Sequence, residues 1–334
     1  MRDYEALDLT LEYNAKPGIY QSVAEPPLGN QLFHGLPFKI GDGNPDTHSF
    51  IGFGAELRCP MDPIRIQIGR PAINLIFAHT EITSEISAGL DGRGYKIGDN
   101  PGSPVATYKF RWADGNEESV VIRERFEIGH MPLPWGQYPF LCVPDQMPTS
   151  WSRSGGEWSD AGRRQTEADQ GRPEGYYLWA WRNSRPLQSV TSVEIIPEGP
   201  PFLIAAITLG NIDEDPFCRW AAQDVKIEII DPTDARRPFN LDVEVDRGYA
   251  SYVYPLPKDI GPAFLGDTHK GWGQVTSESA SPAHVSIAGT PSATVTVKQE
   301  GQSIGSVNWN SLEKNKKIVT PTVRFEIIDT GRNW

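Results

Sequence analysis

Residues 176–210, YYLWAWRNSRPLQSVTSVEIIPEGPPFLIAAITLG, decide the fold class of this chain. Tyr177, Trp179 and Trp181 alternate with Leu178 and Ala180, the period of two that sends successive side chains to opposite faces of a strand. Thr191, Val193 and Ile195 repeat that period. Residues 202–209 are almost wholly apolar, which suits a strand buried on both faces. Asn183-Ser184-Arg185-Pro186 and Pro197-Glu198-Gly199-Pro200-Pro201 supply the turns. No helical period intervenes, so the three strands are expected to pair antiparallel in the core of a β-sandwich.

The same period recurs on the N-terminal side. Leu7, Leu9, Leu11 and Tyr13 share one face of an expected strand, with Asp8, Thr10 and Glu12 on the other. Residues 36–40 form a short strand between Gly35 and Gly41, and residues 64–68 alternate cleanly. Residues 73–78 read as a buried apolar strand that ends at His79-Thr80-Glu81. Tyr108, Phe110 and Trp112 alternate with Lys109 and Arg111. Ala113-Asp114-Gly115-Asn116 then turns the chain and residues 118–126 return it, since Asp-Gly between alternating strands signals a hairpin. From His130 to Gly175 the strand pattern stops. An insertion of that length in a compact domain tends to carry function.

Beyond Trp220, residues 225–230, 240–245, 251–254, 285–288, 294–298, 304–309 and 322–328 are seven strand candidates. Short turns separate several of them, the signature of an immunoglobulin-like or related sandwich. The expected division is 1–219, a jelly-roll β-sandwich with a Trp-rich insertion at 130–175, and 220–334, an immunoglobulin-like β-sandwich. A chain of 334 residues suits two such domains. Its 32 Gly and 29 Pro favour turns and short strands over helices.

Net charge of −12 argues against nucleic acid as a partner, because phosphates need clustered Lys and Arg. The one dense basic run, Lys314-Asn315-Lys316-Lys317, reads as a solvated turn. Cys59, Cys142 and Cys218 are an odd, widely spaced set that gives neither a disulfide framework nor a zinc knuckle. They read as small buried or half-buried thiols of a reducing compartment. The N-terminus lacks the apolar core of a signal peptide and no 18-residue apolar window occurs, so a cytoplasmic chain with no membrane partner is expected. The chain ends at Trp334 directly after a strand, from which a longer parent protein is expected.

Residues 108–115, the strand returning to Gly129, Trp179-Ala180-Trp181-Arg182-Asn183 and residues 202–210 together resemble one recurrent pattern. It has a strand ending in Tyr-x-Asp-Gly, a strand ending in Trp-x-Asn-Pro and a late apolar strand. Leu36-Pro37-Phe38-Lys39-Ile40 is similar to its early Val-Pro-Phe-x-Ile strand. The pattern is that of galactose-binding-like jelly rolls, accessory domains of carbohydrate-active hydrolases. It also resembles the N-terminal region of carbaryl-hydrolase-like (CehA/McbA) metallohydrolases. Trp112 stands where the pattern has Tyr, and Ser184 where it usually has Pro. The resemblance implies a non-catalytic region whose partner is a C-terminal, metal-binding catalytic domain.

Candidate chemistry is sparse. His79-Thr80-Glu81 is similar to the His-x-His-Thr start of metal-dependent phosphoesterases, but residue 77 is Phe. His34, His48, His79, His130, His269 and His284 form no i,i+2 or i,i+4 pair, so a hydrogen-bonded structural histidine is the expected role of His79. Gly301-Gln302-Ser303-Ile304-Gly305 matches a nucleophile-elbow pattern, yet it joins two strand patterns and reads as a turn. Asn211, Asp213, Glu214 and Asp215 offer oxygen ligands: either Asp213 and Asp215 hold a structural Ca²⁺ or the loop is simply acidic and solvated. Trp135, Tyr138, Trp151 and Trp158, with Arg163, Arg164, Gln165 and Glu167, form either a stacking platform for a glycan or the packing of the insertion onto its sandwich. No carboxylate pair for glycoside hydrolysis can be nominated.

Three functions follow. The first is the non-catalytic β-sandwich region of a larger metal-dependent hydrolase, packed on its catalytic domain or on a second subunit. The second is a carbohydrate-binding protein that uses the Trp-rich insertion. The third is a hydrolase of glycosides or esters with its site in that insertion.

Overall fold

The computed structural model of the chain describes residues 2–20, 25–82, 87–88, 95–96, 101–131, 133, 138–146, 173–251, 253–256 and 279–328. These are mostly strands in antiparallel sheets, with short helices such as Pro232–Ala235 and Trp309–Asn315. The all-β class expected from the alternating sequence is the class observed. The described residues divide into two compact units, one within 1–146 and 171–213 and the other within 214–334.

In the first unit, one sheet runs Tyr4–Ala6, Phe202–Gly210, Asn74–Ile82, Tyr177–Arg182 and Val143–Pro144. The other runs Glu117–Arg123, Pro104–Trp112, Ser189–Pro197 and Ile64–Pro71. Every residue of Asn74–Ile82 and Phe202–Gly210 is buried, as their apolar runs require. The sheets meet through aromatic rings. Phe77 lies 4.9 Å from Tyr108, and Trp181 stacks on Phe110 at 3.7 Å with 2° between the planes. Such ring pairs contribute about 0.5–1.5 kcal/mol beyond the area they bury.

The three strands of residues 176–210 do not pair with one another, contrary to expectation. Tyr177–Arg182 and Phe202–Gly210 flank Asn74–Ile82 on opposite sides. Ser189–Pro197 lies in the other sheet, between Ile64–Pro71 and Pro104–Trp112. Asn183 fixes the first crossover. Its amide donates to the Ala72 carbonyl, and its Oδ1 accepts from Trp112 Nε1 and the Arg185 N–H. A hairpin turn would have to leave those groups unpaired.

Residues 7–13 are a second departure. The observed strand is Tyr4–Ala6, after which the Glu12 and Tyr13 amides both donate to the Leu9 carbonyl and close a turn. Asp8 accepts from the Thr10 amide inside that turn, a local bond that competes with strand pairing. Leu11 is consequently 96 % exposed. A third departure lies in 130–175, where strand pairing continues at two points. His130–Met131 pairs parallel with Asn74–Ile82, and Val143–Pro144 pairs with Tyr177–Arg182.

In the second unit, one sheet runs Gly248–Ala250, Ala283–Gly289, Gln223–Ile229, Val323–Ile327 and Lys317–Val319, with Tyr254–Pro255 also paired to Ala283–Gly289. The other runs Leu241–Val245, Thr294–Gln299 and Gln302–Asn308. Val225, Ile227, Val285, Val297, Trp309 and Phe325 belong to its core. The expected strand over 304–309 stops at Asn308, whose side chain accepts from the Ser311 amide and caps the helix Trp309–Asn315. Of the expected strand over 251–254, only Tyr254 falls in an observed strand, Tyr254–Pro255, while Ser251 and Val253 lie outside strands after Gly248–Ala250. The Gly-x-Ser-x-Gly match is a hairpin: Glu300 (φ 52°) and Gly301 (φ 78°) turn Thr294–Gln299 into Gln302–Asn308. Positive φ at both central residues is what a two-residue hairpin turn asks for.

Candidate functional site

His79 sits near the end of Asn74–Ile82 and is fully buried. Its Nε2 lies 2.8 Å from the Glu127 carbonyl and its Nδ1 2.9 Å from the Tyr108 hydroxyl. A carbonyl only accepts, so Nε2–H donates to Glu127 and Nδ1 accepts the Tyr108 O–H. Burial pushes the imidazole from 6.5 down to about 4, against the opposing pull of the Glu127 carbonyl. This is the hydrogen-bonded structural histidine expected from the sequence.

Two residues further on, Glu81 faces a different neighbourhood. The parallel register sets His130 beside Glu81. The backbone is fixed there by two donors to the Gly129 carbonyl, the Glu81 amide at 2.9 Å and the Thr80 hydroxyl at 3.1 Å. Gly129 has no room for a side chain, because a Cβ would stand 2.7 Å from two ring atoms of Tyr177. The Tyr177 hydroxyl in turn donates to the His130 carbonyl at 3.1 Å.

Glu124 arrives from the turn that follows Glu117–Arg123. Arg125 adopts a positive φ of 60°, and the Phe126 amide donates to the Arg123 carbonyl. Glu127 closes the turn by accepting from the Arg123 amide at 2.9 Å and from its guanidinium. The Glu124 amide donates to Ser103, and its carbonyl accepts from Gly102.

The outcome is a buried cluster. His130 Nε2 lies 3.1 Å from Glu124 Oε1, and His130 Nδ1 lies 3.4 Å from Glu81 Oε1. Glu81, Glu124 and His130 are 5 %, 5 % and 4 % exposed. The second oxygen of Glu81, Oε2, is buried with no hydrogen-bond partner among the described residues. Burial, and then the charge of Glu124, push the Glu81 carboxyl well above its ordinary value. Burial lowers the His130 imidazole, opposed by its bond to Glu124. Two carboxylates and one imidazole are N and O donors of the kind that divalent metals accept. Among the described residues this is the cluster whose ligand atoms converge, all within 4.8 Å of one another.

The residues nominated from sequence lie elsewhere. Asp213 pairs with Arg182. Asp215 accepts from the Phe217 amide at 3.0 Å and lies 3.9 Å from Arg219. Glu214 binds the Ser292 amide and hydroxyl. Tyr138 is half-buried. Trp135, Trp151, Trp158, Arg163, Arg164, Gln165 and Glu167 lie outside the described residues. The nearby segment 140–142 is tied to the Glu124 turn: the Phe140 amide donates to Arg125, and those of Leu141 and Cys142 to Phe126.

Alternation alone places Glu124 inside a return strand and His130 at the start of an insertion. The Arg-Glu-Arg-Phe-Glu run at 123–127 is the available signal, since a charge-dense, non-alternating run breaks a strand pattern. No helix among the described residues is long and apolar enough to cross a membrane. Comparison with protein-family models, with curated proteins and with solved structures finds no match to this chain.

Proposed function

We propose that this chain is a non-catalytic β-sandwich region serving a larger metal-dependent hydrolase, packed against its catalytic domain or a second subunit. The observation that carries the reading is the burial of Glu81, Glu124 and His130, each about 5 % exposed or less. A catalytic carboxylate or imidazole must touch its substrate, and these three are sealed within a sheet end. Large apolar side chains on the surface of the first unit supply contact area instead: Leu11 (96 %), Leu187 (95 %), Leu32 (74 %) and Phe140 (60 %). Covering each contributes up to roughly 1.5–3 kcal/mol to association. Cys59, Cys142 and Cys218, with no disulfide among the described residues, suit a reducing, cytoplasmic setting.

The test is turnover by the purified 334-residue chain. Ester, carbamate and glycoside substrates are supplied with Zn²⁺ or Mn²⁺, and fractions are assayed across a size-exclusion peak. No turnover above the metal blank is expected. Activity that follows the protein through the peak overturns the reading.

A further inference from the structure

We propose that Glu81, Glu124 and His130 bind one divalent transition-metal ion, of the class of Zn²⁺ or Mn²⁺, which clamps the turn at 123–130 to the end of the Asn74–Ile82 strand.

Three observations carry this. The first is convergence from separate elements. Glu81 and His130 are direct neighbours in parallel register, and Glu124 comes from the turn that precedes His130. One oxygen of each carboxylate and one imidazole nitrogen lie within 4.8 Å of one another. Ligands about 2.0–2.2 Å from a shared ion stand up to roughly 4 Å apart, so a small rotation of the side chains closes the set.

The second is the orphan oxygen. Glu81 Oε2 is buried and unpartnered among the described residues, on the carboxyl that faces His130. A buried acceptor with no donor is destabilising, and a metal bond satisfies it.

The third is charge. Two buried carboxylates share one small space, whereas the neighbouring Glu127 already has Arg123. The Arg125 guanidinium lies over the Phe140 ring, 5.6 Å from its centre. Mg²⁺ and Ca²⁺ prefer all-oxygen sets, and the imidazole shifts the preference to borderline ions. The ion named here is structural, so it stands independently of any role for the chain in hydrolysis.

The experiment uses the full chain stripped with EDTA and then dialysed free of it. Zn²⁺ is titrated by calorimetry, and Co²⁺ is added separately as a spectroscopic probe. Wild type, E81Q, E124Q and H130Q are compared, with circular dichroism confirming that each is folded. The expected result is one tight equivalent of Zn²⁺ in the wild type, a rise in melting temperature on binding, and a Co²⁺ absorption band. Each variant should lose affinity by more than the ~10–100-fold typical of changes to residues that merely orient a ligand. If one variant fails to fold, the other two decide. Equal Zn²⁺ affinity in wild type and variants overturns the proposal. So does a wild type that takes up no tight equivalent, which would mean that a proton on Glu81 fills the role assigned to the metal.

Discussion

Replacing His79 with Gln should change the pH dependence of stability in a calculable way. The folded protein holds the imidazole neutral, with its pKa lowered from 6.5 to about 4 by burial. The unfolded chain keeps the ordinary value. Between those limits the unfolded state binds a proton that the folded state does not, so stability falls as pH falls from about 6.5 towards 4. At about 1.4 kcal/mol for each pH unit between the two values, the full loss is about 3 kcal/mol, most of it reached by pH ~4.5. Gln can still donate to the Glu127 carbonyl but does not titrate. At pH 7 the H79Q variant should be less stable by roughly 1–3 kcal/mol, because the buried Tyr108 hydroxyl loses its acceptor.

The gap between wild type and H79Q should therefore shrink by about 2–3 kcal/mol between pH 7 and pH 4.5. Asp145 acts in the opposite sense. Its carboxyl is raised from 3.8 to about 6 by burial, so its contribution is lost as pH rises through that range. Asp145 is common to both proteins and cancels in the difference. Urea unfolding with chelator present, followed by tryptophan fluorescence, measures the gap. The relevant transition is the one in which Trp112, Trp179 and Trp181 leave their buried sites, and H79Q identifies it by shifting it. A gap that is the same at pH 7 and pH 4.5 would show that His79 charges without cost in the fold, and would refute the tautomer and burial argument together.

Three further substitutions probe the packing. Gly129→Ala should destabilise the first unit by about 1–3 kcal/mol in urea unfolding, because its Cβ would stand 2.7 Å from the buried Tyr177 ring. Asp145→Asn should cost about 1–3 kcal/mol at pH 7 in the same assay. Asp145 Oδ1 accepts the Glu174 amide and Oδ2 those of Gly175 and Tyr176; an Asn keeps one accepting oxygen and turns its NH₂ on the donors at the other. In the second unit, Trp309 is 1 % exposed and its Nε1 is buried without a partner among the described residues. Trp309→Phe should thus cost clearly less than Trp309→Ala, for which about 3–5 kcal/mol is expected, and equal losses by calorimetric melting would contradict the orphaned-donor argument.

Much of the all-β class can be read directly from the sequence because a strand with one wet face advertises itself. Tyr108, Phe110 and Trp112 are buried while Lys109 and Arg111 between them are less so, and the residues alternate accordingly. Period states which side chains share a face; it does not state which sheet a strand joins. That is why residues 177–182 and 202–210 read as partners when Asn74–Ile82 separates them. The deciding contacts, Asn183 to Ala72 and to Trp112, are long-range and polar. Residues 7–13 mislead for the converse reason. Their alternation is real, but the Asp8 carboxylate and the Leu9 carbonyl satisfy the backbone locally before any neighbouring strand can.

The cluster at Glu81 is hidden by the geometry that creates it. An antiparallel partner arrives through a hairpin, and a hairpin leaves a turn signal such as Asp114-Gly115 between two alternating runs. A parallel partner arrives through a crossover of arbitrary length and leaves no such mark. His130–Met131 is two residues long, too short for any period to register, and the Thr80 hydroxyl reaches the Gly129 carbonyl across 49 positions of sequence. A search for paired histidines at short spacing looks along one strand, whereas these ligands come from two parallel neighbours and a turn. The residue that does bear a visible mark is Gly129: with Tyr177 pressed against its α-carbon, no larger residue lets His130 come level with Glu81. What selects the site is thus a steric requirement next to it, and the ligands become recognisable only once that close approach is known.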